Sequence, residues 1–159
     1  MTDSNSRGSS TRVSRIIRAS RPIVYQAFVD ADAVLSWLPP DGMRGEMIDF
    51  EPRAGGAFSM SLVYLKAEHR VAGKTEEDRD TFQGRFVELA RDEKIVQTVD
   101  FESPNPDLAG TMRITWTLKD VVSGTEVTCL CENIPPGIRP EDNEEGGRSS
   151  LAKLAALVE

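Results

Sequence analysis

The stretch TMRITWTLKDVVSGTEVTCLCE, residues 111–132, carries the clearest structural pattern in the chain. Every second residue from Met112 to Leu118 is apolar and the residues between them are polar, which is typical of a strand with one buried and one wet face. Ser123-Gly124 then predicts a tight hairpin into a second strand, Thr125–Glu132. This alternation predicts an antiparallel sheet whose apolar face must be covered.

The C-terminus supplies the cover. Leu151, Leu154, Ala155 and Val158 recur at i, i+3, i+4 and i+7, the spacing of a helix that packs one face on a sheet. The acidic run 141–145 precedes them and suits the positive end of a helix dipole, so no metal is needed to explain it.

The rest of the chain predicts more strands and two short helices. Ser20 and Asp32 are candidate N-caps for the helices, and Pro39-Pro40 ends the second one. The polar stretch Lys66–Asp80 is predicted to be a long exposed hairpin loop. The further strands are Val13–Ile17, Gly45–Phe50, Ala57–Tyr64, Thr81–Leu89 and Lys94–Phe101. We therefore predict an α+β domain with a curved antiparallel sheet of about seven strands and a long C-terminal helix.

Length and charge narrow the function classes. The chain has 159 residues, enough for one domain with a proper core, which we place at residues 12–159 after a disordered tail at 1–11. The net charge of -7 disfavours a nucleic-acid partner, because binding phosphates needs a basic surface. No apolar run is long enough for a membrane span, and without an apolar signal core we expect a cytoplasmic protein.

The two cysteines, Cys129 and Cys131, lie two apart on a predicted strand and so point to one face. That spacing is poorly suited to a mutual disulfide, and the single histidine, His69, is far away in sequence. We interpret the pair as small buried hydrophobes in a reducing compartment rather than as a metal or redox site. No metal and no cofactor are expected.

One helix cannot cover seven twisted strands, so the sheet is expected to enclose either a filled aromatic core or a cavity for an apolar or aromatic ligand. Gly146-Gly147 in the covering helix permits close backbone approach, leaves space for a ligand, or marks the true helix start. Arg85 and Glu132 are the candidate polar groups of this cavity. The other candidate lining residues are Trp37, Phe58, Met60, Tyr64, Phe86, Met112, Trp116, Cys129, Cys131, Gly147 and Leu151.

Two short motifs are similar to known chemical sites, but we do not interpret either of them as functional. Gly73-Lys74-Thr75 is similar to the end of a phosphate-binding loop, but Glu68 stands where the first glycine belongs. His69 has the pKa range of a general base, yet it lies in a polar loop without an accompanying nucleophile, so we expect it to be exposed.

Several segments together resemble the Hsp-ATPase activator homologue (AHSA-type) family of the SRPBCC, or START-like, superfamily. The resemblance covers about Arg12 to the C-terminus. The segments are residues 21–28, 37–43, 55–56, 73–75, 84–89, 110–118, 124–128, 132–138 and 149–155. The resemblance implies the helix-grip fold: a strand, two helices, six more antiparallel strands, and a long C-terminal helix over a hydrophobic cavity.

The resemblance leaves the function open, because such proteins include chaperone co-activators, small-molecule carriers and polyketide cyclases or aromatases. Our leading interpretation, which we favour over an enzyme, is a protein that binds an apolar, aromatic or lipid-like small molecule. A chaperone-associated interaction protein is the second hypothesis. A cyclase-like or hydrolytic enzyme is the third, with Glu132, Arg85, Tyr64 and His69 as candidates if they converge. Free sheet edges could also support a homodimer.

Overall fold

The computed structural model describes residues 9–65 and 79–159. They form one antiparallel sheet of seven strands and three α-helices, in the order strand, two helices, six strands, helix. The predicted α+β helix-grip architecture is confirmed. The strands are β1 (Ser9–Ile17), β2 (Met43–Phe50), β3 (Ala57–Tyr64), β4 (Arg79–Ala90), β5 (Lys94–Phe101), β6 (Met112–Val121) and β7 (Gly124–Ile134); the helices are α1 (Arg21–Gln26), α2 (Ala31–Trp37) and α3 (Pro140–Val158).

The strand order is β1-β7-β6-β5-β4-β3-β2. Strands β2 to β7 thus form a simple meander, and β1 pairs with β7, for example Val13 with Cys129. Because β1 and β2 lie at opposite edges of the sheet, α1 and α2 carry the chain from one edge to the other. Helix α2 packs against α3, where Ser150 Oγ donates to the Leu38 carbonyl at 2.6 Å.

Three local expectations are corrected. Asp30, and not Asp32, caps α2, because its carboxylate accepts from the backbone N–H groups of Asp32 and Ala33. Strand β1 begins at Ser9, so residues 9–11 belong to the sheet and not to the tail. Arg79 and Asp80 belong to β4 and not to the loop, and Asp80 is fully buried. Met1–Gly8 and residues 66–78, which include His69 and Gly73-Lys74-Thr75, lie outside the described residues.

The inner face of the sheet holds two aromatic groups. At one end Phe28 and Trp37 pack edge-on against Trp116, with ring centroids 5.2 and 5.4 Å away. At the other end Phe58 packs against Phe82 and Phe86 at 5.7 and 5.4 Å. Helix α3 packs mainly on β1, at one edge of the sheet, and on α2.

Candidate functional site

A cavity of about 230 Å³ lies between the middle of the sheet and the first half of α3. Its walls come from β3 to β7, from the segment after α2, and from one face of α3. Most of the side chains that line it are apolar or aromatic. The sequence left open whether the interior is filled or hollow. The structure combines the two, because the aromatic groups fill the ends of the sheet and a cavity remains between them.

Six of the predicted lining residues lie on the cavity wall: Phe58, Met112, Trp116, Cys129, Cys131 and Gly147. They come from four different elements, β3, β6, β7 and α3, which only the tertiary fold brings together. Members that share a strand lie an even number of residues apart, so their side chains point to the same face. The alternation along each strand thus places them on the inner face of the sheet. Whether they bind a ligand remains a prediction.

Other predicted residues are buried beside the cavity but do not line it. Trp37, Met60, Phe86 and Leu151 are at most 1 % exposed and belong to the core that surrounds it. The Trp37 indole Nε1 donates to the Ala27 carbonyl at 2.9 Å, which anchors α2 under Trp116. These residues shape the cavity indirectly, because they hold the residues that do line it.

Tyr64 lies near the end of β3, where its hydroxyl donates to the Asp80 carboxylate at 3.3 Å. Burial, and then the negative charge of Asp80, raise the pKa of Tyr64 to about 12. Tyr64 is therefore bound to a neighbouring side chain and does not line the cavity.

The expected cavity positions of Arg85 and Glu132 are corrected. Both side chains are exposed on the outer face of the sheet, because they alternate with inward residues: Arg85 precedes buried Phe86 and Glu132 follows buried Cys131. Arg85 donates to the Gly55 carbonyl at 3.1 Å. Of the residues named for an enzyme, the three that the structure describes do not converge, since Arg85 and Glu132 are exposed and Tyr64 bonds Asp80; His69 lies outside the described residues.

Sequence reasoning missed the polar groups that do face the cavity. Gln97 on β5 is 7 % exposed, and its Oε1 accepts from Trp116 Nε1 at 3.1 Å. Gln97 lies two residues after Ile95 and two residues before Val99, which are both buried. Because alternate residues of a strand share a face, the sequence could have placed Gln97 on the inner face. Asp142, Asn143 and Ser150 line the cavity from α3. Their positions depend on how the helix lies across the sheet, which no local pattern contains.

The thiols of Cys129 and Cys131 lie side by side on the floor of the cavity. Their sulfur atoms are 3.9 Å apart, and both cysteines are free and buried. The hydrogen bond between the two thiols lowers the pKa of Cys131 to about 7, with burial opposing it and with Asn143 and Thr11 acting in the same direction as the hydrogen bond. The same hydrogen bond and burial raise the pKa of Cys129. Of the pair, Cys131 is therefore the sulfur that ionises first.

The two helix glycines have different surroundings. A Cβ built on Gly147 would lie 3.0 Å from Val13 Cγ2, so this glycine lets α3 approach β1 closely. A Cβ built on Gly146 meets no atom within 4 Å, and Gly146 lines the cavity. Because α3 begins at Pro140, the glycines do not mark its start. One glycine permits close packing and the other leaves space.

This architecture, one helix laid across a curved antiparallel sheet over a cavity, defines a helix-grip protein. The sequence pattern of the family described as "Activator of Hsp90 ATPase homolog 1-like protein" matches residues 18–159. The chain therefore belongs to that family, as its segments indicated, and its fold is of a ligand-binding type. No curated protein matches the sequence.

Solved structures agree with this assignment. A crystal structure of a protein from Chromobacterium violaceum is 33 % identical, with a TM-score of 0.83, and the alignment covers 94 % of this chain and 96 % of that one. The AHSA1 protein of Silicibacter pomeroyi is 16 % identical with a TM-score of 0.75, covering 94 % and 96 %. An AHSA1-like protein of Aeromonas hydrophila is 14 % identical with a TM-score of 0.71, covering 94 % and 92 %. The last two support the fold alone.

Neither a membrane-spanning helix nor a metal-binding cluster is found in the part of the chain that the structure describes. Within residues 9–65 and 79–159, no helix is long and apolar enough to cross a bilayer. In the same residues, no three His, Cys, Asp or Glu side chains come together as a set of metal ligands.

Proposed function

We propose that this protein binds an apolar or aromatic small molecule in the cavity between its sheet and α3. The observation that carries this proposal is the aromatic and aliphatic lining of a space of about 230 Å³, which includes Phe58, Ile114 and Trp116. Apolar walls with a few fixed polar groups are the usual composition of a small-molecule site. Gln97 and Asn143 are the polar groups that would orient a ligand.

The volume indicates the size of the ligand. An apolar cavity of about 150 Å³ in another protein takes up benzene. A space of about 230 Å³ therefore suits a ring with substituents or two fused rings, and it is too small for a long acyl chain. We accordingly favour a compact aromatic ligand over the lipid-like one.

The binding experiment uses Trp116 as its reporter. The chain has two tryptophans, and Trp37→Phe leaves Trp116, which lines the cavity, as the only indole. Titration with iodobenzene is expected to quench Trp116 fluorescence along a saturable curve, because a bound iodine lies near the indole. Quenching that rises linearly with the iodobenzene concentration and does not saturate indicates random collisions. That result would argue against a binding site.

Two matched variants of α3 provide the control. Gly146→Phe places a ring where a Cβ has free space beside the cavity, and we expect it to weaken iodobenzene binding at least about tenfold, the affinity that a buried ring contributes. Ala152→Phe places the same ring on an exposed position of the same helix and should leave binding unchanged. Equal affinities in the two variants would place the ligand elsewhere. The chaperone and enzyme alternatives remain predictions.

A further inference from the structure

Cys129 and Cys131 present a pair of thiols to the cavity. Both line it, both are buried, and their sulfurs are 3.9 Å apart. They are also the only cysteines in the chain. Any thiol chemistry of this protein therefore takes place on the floor of this cavity, below α3.

The spacing of the sulfurs fits one atom bonded to both. Two bonds to sulfur of about 2.3 Å that meet at a near-tetrahedral angle hold their sulfurs about 3.8 Å apart. The observed 3.9 Å needs only small side-chain rotations to reach this geometry. A single soft atom can therefore bridge Cys129 and Cys131 without movement of β7.

The surroundings decide which soft atom fits. Structural zinc takes four protein ligands, and the described residues contain no cluster of three metal-binding side chains. A trivalent arsenic atom that already carries one carbon substituent needs only two more bonds, and thiols form them. Its substituent would extend into the cavity, where Phe58, Ile114 and Trp116 form an apolar wall.

We propose that Cys129 and Cys131 are a dithiol site for a trivalent arsenical with one aromatic substituent. This inference rests on the proposed function, because the aromatic group occupies the same cavity. In the reaction of an arylarsonous acid, two As–S bonds form and two As–O bonds break. The two thiol protons and the two hydroxyl groups leave as two water molecules, and the oxidation state of arsenic does not change.

The polar groups around the sulfurs set the order of the two steps. The hydrogen bond between the two thiols lowers the pKa of Cys131, with Asn143 and Thr11 acting in the same direction, and so favours its thiolate, the nucleophilic form of the side chain. Cys131 therefore attacks arsenic first. Cys129 keeps its proton until the second step, when arsenic is already bonded to Cys131, whose sulfur lies 3.9 Å from that of Cys129. The second bond then forms within one molecule and is favoured by proximity.

The test uses the full chain and phenylarsonous acid. Intact-mass spectrometry is expected to find one phenylarsenic group bound with loss of two hydrogens, stable in excess glutathione and released by a small dithiol. Cys129→Ser and Cys131→Ser should each lose the glutathione-stable adduct, since a single thiol exchanges with glutathione. Cys129→Ala and Cys131→Ala repeat the test should either serine variant fail to fold. A stable adduct in any folded single variant would overturn the proposal.

Two comparisons separate this inference from the proposed function. Phenylarsonous acid should be held at least about tenfold more tightly than its methyl counterpart, and Gly146→Phe should remove that preference while Ala152→Phe keeps it. The unaltered protein should also bind iodobenzene, which forms no bond to sulfur. If iodobenzene binds the cavity but no stable arsenic adduct forms, the dithiol inference is wrong and the proposed function stands. If the adduct forms with no preference for phenyl, the aromatic part of the inference is wrong.

Discussion

Gly147 of α3 lies so close to Val13 of β1 that a Cβ built on it would be 3.0 Å from Val13 Cγ2. The neighbouring Asn143 extends this contact, because its Nδ2 donates to Thr11 Oγ1 at 2.8 Å. The first half of α3 is thus fixed along the edge strand β1. The cavity lies beside this line of contact, under Gly146.

The two glycines are expected to respond differently to alanine. Gly146→Ala should raise the free energy of unfolding by about 0.5–1 kcal/mol, because alanine favours the helix and its Cβ meets no atom. Gly147→Ala should give a smaller gain or a loss, because Val13 must move. Urea unfolding of both variants measures the difference. A gain at Gly147 equal to that at Gly146 would contradict the close approach of α3 to β1.

Gln97 is expected to stabilise the fold through Trp116. Gln97→Met keeps the shape of the side chain but leaves the buried Trp116 N–H without its acceptor, which should cost about 1–3 kcal/mol. Adding Trp116→Phe removes the donor as well, so the loss in the double variant should be smaller than the sum of the two single losses. The free energies of unfolding of all three variants provide the measurement. Additive losses would show that the hydrogen bond contributes nothing.

Tyr64 is expected to make the protein sensitive to alkali. Its pKa is raised from 10 to about 12 in the folded chain by burial and by Asp80. Below pH 10 the phenol is protonated in both folded and unfolded chains. Between pH 10 and 12 only the unfolded chain ionises, so the free energy of unfolding should fall as pH rises.

Absorbance at 295 nm follows this ionisation directly. In Tyr64→Phe, the absorbance change near pH 12 should disappear. The fall in the free energy of unfolding at alkaline pH should also become smaller. Tyr25 contributes in the same direction, because burial and Asp92 also raise its pKa, so some loss should remain. Ionisation of both tyrosines near pH 10 in the folded protein would disprove the Tyr64–Asp80 contact.

Cys131 is expected to react with alkylating agents at lower pH than an ordinary thiol. Its pKa is lowered to about 7 by the hydrogen bond from Cys129, so the rate of alkylation by iodoacetamide should rise through the neutral range and then level off. Cys129→Ala removes that donor and should move the midpoint to higher pH. Peptide mapping of the alkylated protein separates the two cysteines. A midpoint near 9 in the unaltered protein would contradict this assignment.

The sheet could be predicted from the sequence because its strands alternate so regularly. Parity placed Met112, Trp116 and both cysteines on the inner face, and the same rule would have identified Gln97. Arg85 and Glu132 were chosen for their chemistry and not for their parity, so their predicted positions were wrong. Periodicity cannot distinguish a lining residue from a core residue such as Met60, because both point inward. That distinction depends on how side-chain volumes add up across seven strands and three helices.

The contacts that α3 makes with the rest of the chain could not be predicted from the sequence either. The helix and its apolar face were predicted, but the pairing of Asn143 with Thr11 joins residues 132 positions apart. It depends on the angle at which the helix crosses the sheet. That angle in turn depends on Gly147 and on the hydrogen bond from Ser150 to the Leu38 carbonyl.

The central claim is that the cavity holds an aromatic small molecule, and a crystal structure of the protein soaked in iodobenzene tests it most directly. The anomalous signal of iodine locates the ligand without reference to any other density. We predict one strong iodine peak beside Trp116 and Ile114, below Gly146, and no such peak in Gly146→Phe. An interior without iodine in the unaltered protein, while iodine is bound on its surface, would contradict the claim.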